Sequence, residues 1–148
     1  MSLDKWINVI IEHDECPKYL WGVLLVVAVI NLVRGVLHTF LVEYAATNIA
    51  GLDLSASRNE ILQLMNVYGW SNIIEAILYI VIATKSRNLV PLALILAGLF
   101  TPLSSMTTIL AEISMQGAEW GGAPMMMFVF TPLCLIPVVV FYIQKIRK

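Results

Sequence analysis

The stretch NLVRGVLHTFLVEY, residues 31–44, decides how this chain folds, because it places an arginine and a histidine inside an apolar run. The run opens at Tyr19 and extends to Val42. It is long enough to cross a ~30 Å hydrocarbon layer, since a spanning helix needs ~20 mostly apolar residues. Arg34 and His38 would then lie inside the membrane, where a charge at the bilayer centre costs at least ~2.5–3.5 kcal/mol. Arg34 therefore needs a partner, water or a ligand.

The composition of the whole chain is typical of a membrane protein. Apolar residues make up 59% of its 148 residues and charged residues 13%, with a mean hydropathy of +0.85. Soluble domains average roughly 45–50% apolar and about 25% charged residues, and a core of this size cannot bury the excess. Four runs are long enough to span a bilayer: residues 19–42, 61–83, 89–110 and 124–143. We therefore predict an all-α integral membrane four-helix bundle that forms a single domain over residues 1–148.

The leader before the first run, residues 1–18, is predicted to form an amphipathic helix on the cytoplasmic membrane surface. Its apolar residues recur at helical spacing, with polar residues on the other side. The run behind it is too long for a signal-peptide core, and no small-residue cleavage site follows. The first run is therefore predicted to be a permanent span.

The positions of the basic residues predict the orientation in the membrane. Cytoplasmic loops of membrane proteins carry an excess of Lys and Arg. The leader, the second connection and the C-terminus hold two, two and three of them, whereas the first connection holds only Arg58 and the third holds none. We therefore predict a multi-pass protein of the cell inner membrane with both termini cytoplasmic. Because the net charge is −1 and the basic residues are dispersed in this way, a nucleic-acid partner is excluded.

Short connections predict that successive helices are antiparallel neighbours. In the first connection Gly51 indicates a turn, and Ser57 followed by Glu60 predicts a capping box at the start of the second span. The sequence Phe-Thr-Pro-Leu occurs twice, at residues 100–103 and 130–133. Because proline breaks the helical hydrogen-bond ladder, this repeat predicts two kinks that face each other near the middle of the bilayer.

Polar residues on the first two spans are predicted to face each other. Asn31, Arg34 and His38 follow a three-then-four spacing and form one stripe. The second span carries a matching stripe: Tyr68, Asn72, Glu75 and Tyr79. At ~1.5 Å per residue, depth matching puts Arg34 beside Tyr68 and puts Glu75 about 10 Å deeper than Arg34. The same register puts Asn31 beside Asn72. These seven residues are the candidate ligand-binding site.

Three roles are compatible with this pair of stripes. As structural glue, the polar groups hydrogen-bond across the two helices, while Gly35 and Gly69 permit close approach. As a ligand site, Arg34 and His38 hold the head group of an anionic lipid or a quinone-like molecule above a pocket lined by apolar residues and Tyr79. As a transport path, Arg34 and His38 form a staggered proton or ion relay with the carboxyl group of Glu75 on the second span.

Catalysis and metal binding have little support in the sequence. No serine or cysteine nucleophile lies at a matching depth within a recognisable motif. The two histidines, His13 and His38, fall on opposite sides of the membrane, so three or four zinc ligands do not converge. Neither catalytic residues nor metal ligands are predicted.

Three short motifs follow one another in a recognisable order: RGVLHTF at residues 34–40, IAGLD at 49–53 and RNLVPLALIL at 87–96, with a glycine-containing polar span before the last. In this order the chain resembles small bacterial four-helix membrane proteins of the DoxX-like and related types. The resemblance covers roughly the first hundred residues. It implies a four-helix bundle in the inner membrane, beside redox partners. No catalytic residue carries over from it, and the cysteines of a thiol-based redox role are missing.

These observations together predict a small non-enzymatic membrane subunit. It would associate with itself as a homo-oligomer or with a larger membrane complex, and would bind a lipid or quinone-like molecule through the stripe of Arg34 and His38. Membrane lipids are its other partners, and no cofactor beyond such a bound molecule is predicted. The alternative is a small proton, ion or solute transporter or channel that uses Glu75 and the paired Thr-Pro kinks.

Overall fold

The computed structural model describes residues 16–110 and 122–146, apart from the side chains of residues 101, 104–110 and 122–128. All secondary structure in the described ranges is helical. The main elements are α1 (Lys18–Phe40), α2 (Arg58–Lys85), α3 (Val90–Leu110) and α4 (Gly122–Ile146). The predicted leader helix, up to residue 15, and most of the third connection lie outside the described residues.

Three described helical segments are long and apolar enough to cross a membrane: Lys18–Phe40, Arg58–Lys85 and Val129–Ile146. A shorter apolar stretch, Arg87–Phe100, opens the third predicted span. Large apolar side chains cover the outward faces of these helices, such as Phe40 at 66% exposure and Leu64 at 70%. A helix of a soluble protein carries polar residues on that face. The surface of the described helices is therefore that of a membrane protein.

The first connection is shorter than predicted, because the chain stays helical beyond α1. A short helical segment, Val42–Tyr44, leads into a π-helical turn, Ala45–Ile49. Its end is closed by the Leu52 N–H, which donates to the Ala46 carbonyl at 2.9 Å. Gly51 has a φ of 65°, a conformation that glycine adopts without steric cost, and it ends the helical segment. The predicted turn at Gly51 is confirmed.

The predicted capping box at the start of α2 is wrong. Ser57 occupies the N-cap position, but its side chain makes no capping hydrogen bond. Its backbone, with φ −142° and ψ 47°, is outside the extended conformation that aims an N-cap hydroxyl at the first turn. The polar side-chain contact before α2 is made instead at Asp53, whose carboxylate accepts hydrogen bonds from the Ser55 N–H and hydroxyl, each at 2.9 Å. These bonds hold the pKa of the exposed Asp53 carboxyl below its usual value.

The helices pack as two pairs that share one apolar core. α1 packs mainly against α2, and α3 packs mainly against α4, whereas α2 and α3 make few contacts with each other. The core lies at the end of the molecule where α1 begins and α2 ends, and its members are Leu20, Leu24, Val27, Ala83, Val90, Ala93, Leu94, Ala97, Phe130, Cys134, Val138 and Phe141. The second half of α1, from Asn31 onward, therefore contributes no residue to this core and packs along α2.

Glycines allow the backbones of α1 and α2 to approach closely. A methyl group added at Gly69 would lie 2.8 Å from backbone atoms of both His38 and Thr39. A methyl group added at Gly35 would lie 2.9 Å from the Gly69 carbonyl oxygen and the Ile73 nitrogen. Real Cβ atoms essentially never lie this close to other heavy atoms, so larger residues would push the helices apart. The predicted close approach at these two glycines is confirmed.

Prolines lie inside the last two helices without ending them. Pro102 is inside α3, and Pro132 and Pro137 are inside α4. Neighbouring helices and side chains can satisfy the carbonyls that such prolines release. That the two Thr-Pro kinks face each other stays a prediction.

Candidate functional site

Polar side chains meet along the interface between the second half of α1 and the first two thirds of α2. We call this interface the polar seam. Its members on α1 are Asn31, Arg34, His38 and Thr39, and those on α2 are Asn66, Tyr68, Asn72 and Glu75. Partners run in opposite order along the two helices, as the predicted antiparallel arrangement requires.

The deep end of the polar seam is an amide–carboxyl pair. The Asn31 side chain is buried and donates from Nδ2 to Oε2 of Glu75 at 3.2 Å, and the Glu75 side chain is half-buried. We predicted that Asn31 lies beside Asn72, one turn earlier on α2. A carboxyl oxygen is a stronger acceptor than an amide oxygen, and Glu75 has the longer side chain, so the donor of Asn31 reaches Glu75 instead.

The middle of the polar seam is the pair of Arg34 and Tyr68. Arg34 Nη2 donates to Tyr68 Oη at 3.0 Å, and Arg34 Cζ lies 5.6 Å from the centroid of the tyrosine ring. The predicted adjacency of these two residues is confirmed. The tyrosine is 38% exposed, and the Arg34 side chain is half-buried, so this part of the polar seam is open on one side. The arginine charge therefore has a hydroxyl and a π face as partners.

The outer end of the polar seam holds His38 and Thr39. The His38 ring lies 5.7 Å from the Tyr68 ring at an interplanar angle of 34°. His38 Nδ1 is buried and has no hydrogen-bond partner within the described ranges, and the same is true of Thr39 Oγ1. The Thr39 carbonyl accepts a hydrogen bond from Asn66 Nδ2 at 3.0 Å. Asn66 was not among the predicted site residues, although its position three residues before Gly69 puts it on the same face of α2.

Asn72 is the most unusual residue of the polar seam. Its side chain is 3% exposed, and its Nδ2 atom has no hydrogen-bond partner in the part of the chain that the structure describes. It lies on the same face of α2 as Tyr68 and Glu75, four residues after the first and three before the second. A buried amide donor without an acceptor costs about 1–3 kcal/mol. The middle of the polar seam therefore lacks one hydrogen-bond acceptor.

An apolar groove lies on α1, one turn before Arg34 in the sequence. Its volume is about 270 Å³, it is open to one side, and its lining residues are Leu25, Val26, Val29 and Ile30. Ile30 precedes Arg34 by four residues, so the edge of the groove adjoins the arginine on the helix surface. Tyr79, which we predicted in the apolar part of the site, packs against the apolar core.

The arrangement offers several hydrogen-bond donors and few free acceptors. Arg34 uses one guanidinium nitrogen on Tyr68, and one carboxyl oxygen of Glu75 already accepts from Asn31. In the described part of the chain, Asn72 Nδ2 has no acceptor. Such a site suits the oxygen atoms of a polar head group, with an apolar tail beside it. In comparisons with protein-family models, with curated proteins and with solved structures, the chain matches none.

Proposed function

We propose that the protein is a small non-enzymatic subunit of the inner membrane that binds a lipid or quinone-like molecule at Arg34 and His38. The observation that carries this proposal is the open side of the polar seam, where the half-buried Arg34 and the 38% exposed Tyr68 adjoin an apolar groove. Head-group oxygens would accept hydrogen bonds from the guanidinium and the imidazole. The tail would lie along the groove at Val29 and Ile30.

The two parts of the polar seam have different roles in this proposal. The deep part, with Asn31 and Glu75, joins α1 to α2, because its donor and acceptor satisfy each other. Gly35 and Gly69, farther toward the outer end, bring the two backbones together. On the open side, the Arg34 guanidinium stays partly exposed. A charged group inside a membrane is costly unless it is paired, so a bound molecule is the natural partner for this guanidinium.

We further propose four spans that form a bundle, with both termini in the cytoplasm. Support comes from the three long apolar helical segments and from α3, whose apolar first half packs into the shared core. The exposed apolar faces of α2 and α4 are then covered by lipid, a second copy of the chain or a larger membrane complex.

Cysteine labelling tests the orientation. Cys16 and Cys134 are the only cysteines, and Cys134 is buried in the core. In a Cys134→Ala variant, a membrane-impermeant maleimide should label Cys16 in inside-out vesicles and leave it unlabelled in right-side-out vesicles. Burial raises the pKa of the Cys16 thiol, so less of it is thiolate at neutral pH and labelling should be slower than for a free thiol, with the rate rising as pH rises. Labelling from the outside would reverse the proposed orientation.

Native mass spectrometry with matched variants tests the binding role. Arg34→Ala should lower the retention of the bound molecule about ten- to hundredfold, which corresponds to the loss of one hydrogen bond to a charged group. Two controls should retain it. Glu75→Gln leaves an oxygen that accepts from Asn31, and Arg58→Ala removes an exposed arginine that pairs with Glu43 at 2.7 Å. No molecule bound to the unmodified protein, or equal retention in Arg34→Ala, would contradict this role.

A transport role is the second candidate, and one observation favours it. Glu75 is a half-buried carboxyl group within a spanning segment, and an amide is its hydrogen-bond partner. Carboxyl groups at this depth mark proton and ion pathways in many membrane proteins. If Glu75→Gln abolished a proton or ion flux into vesicles while the protein stayed folded, transport would replace binding as the function.

A further inference from the structure

A second polar feature lies at the opposite end of α1, away from the polar seam. Arg87, in the turn Arg87–Leu89 between α2 and α3, places its guanidinium carbon 5.3 Å from the centroid of the Trp21 ring. Trp21 lies in the first turn of α1. The contact therefore joins the start of α1 to the turn between α2 and α3 at one corner of the molecule. We call it the Trp21–Arg87 corner.

The indole nitrogen at this corner lacks a hydrogen-bond acceptor among the described residues. Trp21 Nε1 is buried, and no group in residues 16–110 or 122–146 accepts from it. An indole N–H can only donate, and buried donors in proteins nearly always have an acceptor. The missing partner must therefore supply an oxygen or another acceptor atom, beside a guanidinium that has donors to spare.

The charges around the corner define that acceptor more closely. Lys18 precedes Trp21 by three residues and so lies on the same side of α1, and Lys85 ends α2 two residues before Arg87. Both lysines are exposed. Within the described residues, the carboxylates lie elsewhere: Glu43, Asp53, Glu60 and Glu75 belong to the other end of the molecule or to the polar seam. The described part of this corner is therefore purely cationic.

We propose that the Trp21–Arg87 corner binds the phosphate group of an anionic phospholipid. The ends of spanning helices lie at the level of lipid head groups, and basic pockets between membrane helices bind anionic head groups there. The phosphate accepts from the exposed Arg87 guanidinium, while Lys18 and Lys85 attract its net negative charge. The Trp21 ring turns outward, so that its N–H, which is buried in the lipid-free protein, donates to the same phosphate. This site is separate from the polar seam and does not depend on which molecule the polar seam binds.

Lipid-dependent thermal stability of the full chain tests this proposal. Phosphatidylglycerol added to the detergent-purified protein should raise its Tm, whereas phosphatidylcholine should do so much less. In Arg87→Gln, the phosphatidylglycerol concentration needed for the same rise in Tm should be about ten times higher. This factor corresponds to the loss of one charge-assisted hydrogen bond. Trp21→Phe, which keeps an aromatic ring but removes the N–H, should weaken it in the same direction. The matched control Arg58→Gln should respond to phosphatidylglycerol as the unmodified protein does.

Three outcomes would overturn the proposal. The first is equal stabilisation by both lipids. The second is an unchanged phosphatidylglycerol response in Trp21→Phe, and this variant decides the question if Arg87→Gln fails to fold. The third concerns Asp14 and Glu15, which directly precede Cys16 in the sequence. Both can be replaced together, by Asn and Gln, and the Tm measured without added lipid. If this Tm fell as much as that of Arg87→Gln, the protein's own carboxylates, and not a lipid phosphate, would neutralise the corner.

Discussion

Replacing Gly69 with alanine is expected to lower the free energy of unfolding by about 1–3 kcal/mol, the usual cost of inserting a methyl group into tight packing. The new methyl group would lie 2.8 Å from backbone atoms of His38 and Thr39 and in contact with the Thr39 hydroxyl. Backbone atoms cannot turn aside as a flexible side chain can. The whole of α1 must therefore move away from α2, which also lengthens the hydrogen bond from Arg34 to Tyr68.

Gly22→Ala is the matched control for this substitution. Gly22 lies on the same helix as Gly35, and no atom of the described residues lies within 4 Å of a methyl group added there. Because alanine has a higher helix propensity than glycine, by about 0.8–1 kcal/mol, this control should be neutral or stabilising. Unfolding in detergent micelles, followed by circular dichroism, gives both values. Equal stability of the Gly69→Ala and Gly22→Ala variants would contradict the close packing of α1 on α2.

Replacing Asn31 with leucine is expected to destabilise the protein by about 1–3 kcal/mol, because Glu75 would lose its hydrogen-bond donor in a half-buried position. Replacing both partners of such a pair by apolar residues costs less than leaving one of them buried without a hydrogen-bond partner. The double variant Asn31→Leu/Glu75→Leu should therefore be more stable than Asn31→Leu alone. The same unfolding measurement, arranged as a double-mutant cycle, isolates the coupling between the two side chains.

Asn72→Leu provides the control for Asn31→Leu. Both asparagines are buried, but Asn72 Nδ2 has no hydrogen-bond partner among the described residues. Its replacement should cost little, because leucine removes a buried donor that has no acceptor there. If Asn31→Leu were no more damaging than Asn72→Leu, the pair of Asn31 and Glu75 would not hold the helices together.

Much of the helical pattern and part of the candidate site could be predicted from the sequence. The stripe of Asn31, Arg34 and His38 faces α2 as predicted, and Arg34 meets Tyr68, because helical periodicity and rise per residue are local properties. One prediction that depended on exact backbone conformation, the capping box, failed. The Ser57 side chain makes no capping hydrogen bond, and its dihedral angles, φ −142° and ψ 47°, are outside the extended conformation of an N-cap residue.

The sequence by itself determined that the chain is helical and apolar enough for a membrane, and it determined which polar residues share a helix face. Only the tertiary structure decided which acceptor the Asn31 side chain reaches. Asn31 bonds to Glu75, and Asn72 Nδ2 has no acceptor among the described residues, in a pair of helices whose backbones approach closely at Gly35 and Gly69. A shift of a few ångströms between two helices exchanges hydrogen-bond partners, and no periodicity within either helix specifies that shift.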